Sequence, residues 1–116
     1  MYRVLDDIPE IEEGIAVSQH WANDTRVVLF VKLQAGIELS TALKQHIATL
    51  IRSRLSPRHV PAKILQVSDI PKTWNGKIME SVVRKIIQGE TIENISVIVN
   101  PECLEDYWNR IELMVD

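Results

Sequence analysis

Five apolar residues in a row, Val27, Val28, Leu29, Phe30 and Val31, constrain this chain more than any other feature. They lie in residues 25–33, a segment rich in β-branched side chains. Successive side chains of a strand point to opposite faces, so an unbroken apolar run leaves no face suited to water. The segment therefore reads as a strand buried on both faces, and the sheet that holds it must be covered. With 116 residues, there is room for one compact domain and not for two of ordinary size.

The remaining elements follow from spacing. Val4, Leu5 and Ile8 fall at helical intervals before Pro9, like the tail of a helix begun further upstream. Ile15-Ala16-Val17 is a short apolar run that suits a strand. Asn23-Asp24 is turn chemistry, so the two strands should form an antiparallel hairpin. Ser40 is a good N-cap, and Leu43, Ile47, Leu50 and Ile51 make one apolar stripe behind it. The prolines of Ser56-Pro57-Arg58-His59-Val60-Pro61 stop that helix. A third strand is expected from Ile64 to Ile70. Ile78, Val82, Val83, Ile86 and Ile87 form a second helical stripe, with Gly89 placed to end it. Asn100-Pro101-Glu102 should open a last short helix, with Asn100 as cap. Tyr107, Trp108 and Ile111 give that segment an apolar edge, expected to pack on the domain's own sheet. The fold class is α+β: about three strands, including a β-hairpin, covered by two main helices.

Composition narrows the function classes. At 46% hydrophobic and 25% charged residues, the chain reads as globular. A net charge of −3 lacks the basic footprint of a nucleic-acid coat. No apolar stretch approaches the roughly 20 residues needed to span a bilayer. The first residues lack the layout of a secretory signal, and the single cysteine excludes an intrachain disulfide. A cytoplasmic setting is expected. Cys103, beside Glu102 and Glu105, reads as a bystander, since carboxylates raise a thiol's pKa. His20, His46 and His59 are too scattered to form a metal site, and His59 reads as a packed or capping residue. No glycine-rich phosphate loop or nucleophile elbow is present.

Two stretches bear chemistry. Between the third strand and the second helical stripe runs Pro71-Lys72-Thr73-Trp74-Asn75-Gly76-Lys77-Ile78-Met79-Glu80. Gly76 frees the backbone beside Lys77, and a lysine is a compact mobile charge able to follow charge shifting between oxygens. Asn75-Gly76-Lys77 alone would be an ordinary turn with a solvated lysine. The other stretch, Arg52-Ser53-Arg54-Leu55-Ser56-Pro57-Arg58, offers guanidinium forks to phosphate, or is simply a solvated helix end.

The first stretch closely resembles the P-K-T-x-(S/T/N)-G-K motif near the C-terminus of adenylate-forming enzymes, the acyl-CoA synthetase superfamily. Within it, L-S-P-R-H-V-P looks more like acetoacetyl-CoA synthetases than acetyl-CoA synthetases, and together with N-G-K-I-M-E and N-P-E-C-L-E-D-Y it resembles the C-terminal domain of acetoacetyl-CoA synthetases. The resemblance covers nearly the whole chain. It implies a single C-terminal mobile domain over residues 1–116, whose large N-terminal adenylating domain is not in this chain. Lys77 would be the adenylation lysine, with Asn75 and Gly76 shaping its loop. Arg52 falls where related acetyl-CoA synthetases place an arginine on coenzyme A, and Arg58 joins it as a candidate for the cofactor site. The implied reaction joins acetoacetate to coenzyme A with ATP and magnesium, releasing AMP and pyrophosphate, and no metal ligands are expected here. The isolated chain is expected to be inactive, because ATP and the acyl group bind in the other domain. Trp74 stands where many relatives carry a basic residue. Two alternatives stay open: a stand-alone interaction or regulatory module of the same fold, and the same domain of an acetyl- or other acyl-CoA synthetase.

Overall fold

The central strand does divide the interior in two. A computed structural model describes residues 2–74, 76, 79–90, 95–108 and 110–114; of Tyr2, Ile95, Ile111 and Met114 it describes only the backbone. Its elements are α1 (Tyr2–Asp6), β1 (Ile11–Trp21), β2 (Asp24–Leu33), α2 (Thr41–Arg54), β3 (Lys63–Gln66) and α3 (Glu80–Ile87), with 3-10 turns at Pro57–His59, Ile95–Val97, Pro101–Tyr107 and Ile111–Met114. The sheet order is β1-β2-β3, with β1 antiparallel and β3 parallel to β2.

Strand periodicity sorts the core. Val28 and Phe30 of β2 join Ile15 and Val17 of β1 and Leu65 of β3 on one face, where Val82, Val83 and Ile86 of α3 cover them. Leu29, Val31 and Leu33 point to the other face with Ile11 and Ile64, beneath Leu43, Ile47 and Ile51 of α2 and Val4, Leu5 and Ile8 of the α1 segment. Each main helix thus seals one side of a strand whose residues 28–31 are wholly buried. Burying a side chain of this size is worth about 1.5–3 kcal/mol, which is why the unbroken run dominates the fold.

Several local expectations change in detail. β1 is eleven residues long, well beyond Ile15-Ala16-Val17, because its backbone pairs with β2 from Ile11 opposite Leu33 to Trp21 opposite Asp24. The hairpin turn is Ala22-Asn23 and not Asn23-Asp24. Both turn residues have positive φ, 52° and 64°, and Asp24 instead bonds the Thr25 amide at 2.8 Å. Two positive-φ residues match the twist of a two-residue hairpin. Asn tolerates that region but Ala does not, at a cost of about 1–2 kcal/mol. Ala22→Gly should therefore raise stability by up to about 1 kcal/mol after the entropic cost of glycine, read as a higher urea midpoint.

Ser40 caps α2 as expected, its Oγ accepting from the Leu43 amide at 3.1 Å. α3 ends in a Schellman motif: Gly89, at φ +74°, donates to Ile86 at 3.1 Å, and Glu90 donates to Lys85 at 2.9 Å. β3 stops at Gln66, short of Ile70, although Val67 and Ile70 are buried. Beyond it, side chains take over the backbone: Ser68 N bonds Asp106 Oδ2 at 2.6 Å, and Ile70 N bonds Asp69 Oδ1 at 2.8 Å. The segment opened by Pro101 is a 3-10 turn, and Asn100 gives it no side-chain cap. Among the described residues no helix is long and apolar enough to cross a membrane.

Candidate functional site

Past the end of β3 and after Ile70, the chain enters the lysine loop through the buried Pro71. Thr73 pairs with Ile98 in an antiparallel bridge, and Val99 donates to the Lys72 carbonyl at 2.9 Å. Gly76, at φ +77°, closes a turn by donating to Thr73 at 2.9 Å, and Met79 donates back to Pro71 at 3.1 Å just before α3. A residue with a Cβ would resist the Gly76 conformation. The Lys72 ammonium is held by the Glu13 carboxylate of β1, both half-buried. Lys72 is thus tied into the framework. Trp74 is 75% exposed on the same loop. Asn75, Lys77 and Ile78 lie outside the described residues.

Asn100 is the side chain that pattern reading assigned to the wrong task. Its Oδ1 accepts from the Lys72 amide at 3.1 Å. Its Nδ2 donates to Asp69 Oδ2 at 2.9 Å and to the Ile70 carbonyl at 2.8 Å. Both amide hydrogens and one acceptor position are therefore used at the root of the loop. Asp69 also pairs with Lys32 at 3.3 Å, and its carbonyl accepts from the Tyr107 hydroxyl at 2.8 Å. Burial alone would raise the Asp69 carboxyl, but the bonds from Asn100, the Ile70 amide and Lys32 outweigh it and hold its pKa below the ordinary value.

The C-terminal segment that carries Asn100 is itself fastened. Tyr107 is buried with its ring edge-on to Phe30, centroids 4.7 Å apart. Gln19, a buried polar residue of β1, donates to the Leu113 carbonyl at 2.9 Å, and Arg26 adds a bond to the same oxygen at 3.1 Å. Trp108 stays 41% exposed, so the apolar edge expected there is only partly covered. Burial first, then Asp69, Glu102 and Asp106, pushes the Cys103 thiol up to about 12, which suits a core residue and not a nucleophile.

The arginine stretch lies elsewhere. Arg52, in the last turn of α2, and Arg58, in the 3-10 turn, are both exposed. Arg54 pairs with Asp7 beside α1. His59 is exposed and shares a 2.8 Å hydrogen bond with Ser56, a local turn contact. Arg52 and Arg58 come before β3, whose Ala62 lead-in bonds Val27 near the start of β2. The lysine loop follows β3, beyond Val67, which bonds Val31 near the end of β2. The two stretches therefore occupy opposite ends of the third strand. One leaves a helix on one sheet face, and the other enters a helix on the opposite face. Among the described residues no group of three or more His, Cys, Asp or Glu is placed to hold a metal ion.

Comparison with known proteins places this geometry in a family. The model for the AMP-binding enzyme C-terminal domain matches residues 3–77, ending on the lysine itself. The chain belongs to the AMP-binding enzyme C-terminal domain family. Acetoacetyl-coenzyme A synthetase of Rhizobium meliloti (strain 1021) is 46% identical over 97% of the chain, and acetoacetyl-CoA synthetase of Rattus norvegicus is 39% identical over 97%. The chain spans 17% of the length of each. Among solved structures, acetoacetyl-CoA synthetase from Streptomyces lividans superposes with a TM-score of 0.83 at 35% identity, covering 91% of this chain and 16% of that one. An acyl-CoA synthetase from Brucella canis superposes at 0.67 with 29% identity, covering 72% of this chain and 16% of that one. The segment after residue 77, with Asn100 and Tyr107, lies beyond the residues that the family model matches.

Proposed function

We propose that this chain is the mobile C-terminal domain of an acetoacetyl-CoA synthetase, an acid–thiol ligase. Such an enzyme activates acetoacetate with ATP and magnesium, releases pyrophosphate, and passes the acyl group from the adenylate to coenzyme A. The observation that carries the choice of substrate class is the reach of the likeness. The acetoacetyl-CoA synthetase structure covers 91% of the chain, whereas the Brucella canis acyl-CoA synthetase covers 72%. The C-terminal segment of this chain, beyond the residues that the family model matches, is built into the root of the lysine loop.

In this reading Lys77 supplies positive charge while the substrate carboxylate attacks the α-phosphate, and Asn75 and Gly76 shape the loop that presents it. Arg52, with Arg58 in the following turn, serves the thioester half-reaction by binding phosphate oxygens of coenzyme A. Opposite placement of the two stretches fits a domain that shows one end to the large adenylating domain for the first half-reaction and the other for the second. That large domain belongs to the same polypeptide and holds ATP and the acyl group. Magnesium would accompany ATP there. The setting we assign is cytoplasmic.

Arg52→Ala in the full-length enzyme should raise the coenzyme A concentration needed for half-maximal thioester formation while leaving adenylation nearly intact. Half-reaction kinetics check this, and an equal loss in both steps would remove Arg52 from the coenzyme A site. For the reaction itself, pyrophosphate release by the full-length polypeptide is measured with acetoacetate, acetate and longer carboxylic acids. Acetoacetate should give the highest kcat/KM, and a preference for acetate would move the enzyme to the neighbouring class.

A further inference from the structure

We propose that Asn100 is a positioning residue for the adenylation lysine, so that the C-terminal segment sets the geometry of the lysine loop. The inference rests on the reading of Lys77 given above and extends it to a residue beyond those that the family model matches. Three facts point the same way. Asn100 bonds the Lys72 amide and the Ile70 carbonyl, so it fixes the backbone on either side of Pro71, beyond the end of β3. Beside it, Ile98 pairs with Thr73 and Val99 bonds the Lys72 carbonyl, so a short ladder continues the same grip up to the turn closed by Gly76. The grip is itself anchored in the core, because Tyr107, on the same segment, is buried against Phe30 and bonds the Asp69 carbonyl.

Lys72, Thr73 and Gly76, which precedes Lys77, are therefore tied to the core through Asn100 and the segment that carries it. Any long side chain loses entropy when it is aimed at a transition state. A fixed root reduces the number of loop geometries that must be searched. Misplacement of a reacting group by about 1 Å can cost on the order of a hundredfold in rate. Removing the clamp should thus slow the step that uses the lysine and spare the step that does not.

The test measures both half-reactions in the full-length enzyme for Asn100→Ala, Asn100→Asp, Lys77→Ala and the two double variants, with thermal melts alongside. Asn100→Asp keeps size and acceptor but loses the donors and sets a second carboxylate against Asp69. Both single Asn100 variants should slow adenylation roughly ten- to a hundredfold and leave thioester formation from supplied acyl-adenylate nearly unchanged. In the Lys77→Ala background the same changes should cost almost nothing further, since residues acting as a unit are non-additive. Parallel loss in both half-reactions that follows the melting temperature would overturn the inference, as would full additivity with Lys77→Ala. If Lys77→Ala itself spares adenylation, the lysine reading falls and this inference falls with it.

Discussion

Lys77→Ala in the full-length enzyme should slow adenylate formation on the order of a hundred- to a thousandfold, the usual cost of losing one preorganised charge-stabilising contact. Thioester formation from supplied acyl-adenylate should be much less affected. The argument is one of timing. Negative charge builds on the α-phosphate only while the carboxylate oxygen attacks, so a cation there lowers one barrier and not the next. Placement of the lysine loop and the arginine stretch at opposite ends of β3 adds a geometric reason, because one end of the domain can face the reaction while the other does not. Lys77→Arg should not restore the rate, since a planar fork cannot stand in for a compact ammonium on a tight loop. Pyrophosphate release and thioester formation, assayed separately, check the prediction. Equal loss in the two steps would contradict the assigned role.

The largest effect on stability is expected at Phe30. Its side chain is wholly buried on the α3 side of the sheet and meets the Tyr107 ring at 66°. Phe30→Ala removes the transfer free energy of the ring and leaves a cavity, together about 3–5 kcal/mol. Part of that loss, about 0.5–1.5 kcal/mol, is the edge-to-face pair with Tyr107. Against the about 5–15 kcal/mol that holds an ordinary domain together, this is a large fraction. Urea unfolding of the domain should show a much lower midpoint. Trp74→Ala is the control, because that side chain is 75% exposed and should shift stability by no more than about 0.5 kcal/mol. A small effect at Phe30 would mean that the two faces of β2 are not separately packed.

How much of this was legible before the fold was known depends on whether a residue acts through local pattern or through distant partners. The five-residue run from Val27 was legible because burial on both faces leaves a direct mark in the sequence, and it became the middle strand between two core clusters. Ser40 and Gly89 were legible because caps act within a few residues. β1 was underestimated because Glu12, Glu13 and Gly14 interrupt its apolar pattern, yet its partner strand pairs with Glu13 and Gly14 beyond a register shift at Glu12. Glu13 spends its charge on Lys72, 59 positions away, and no local rule anticipates that pair. The turn was displaced by one residue because Ala22 occupies a conformation that its type resists. Ile70 was placed in a strand by its apolar character, whereas its amide is claimed by Asp69.

The site divides in the same way. The run from Pro71 to Glu80 carried the family in its wording, and the family match extends through Lys77. Asn100 did not, since Asn-Pro-Glu is also a good helix opening and only the fold brings its amide to Lys72, 28 positions earlier. The single signal that could have found it was a polar residue with three hydrogen-bonding groups beside a segment destined for burial. Arg52 and Arg58 were legible as exposed cations, and their distance from the lysine loop along the sheet was not.

The most direct test of the central claim is a domain exchange. Residues 1–116 replace the matching segment of the 46%-identical Rhizobium meliloti acetoacetyl-coenzyme A synthetase, and acetoacetate-dependent release of pyrophosphate is measured. The account predicts that the chimera releases pyrophosphate and that Lys77→Ala within it removes most of that release. A folded chimera that binds ATP and acetoacetate yet releases none, or one indifferent to Lys77→Ala, would contradict it.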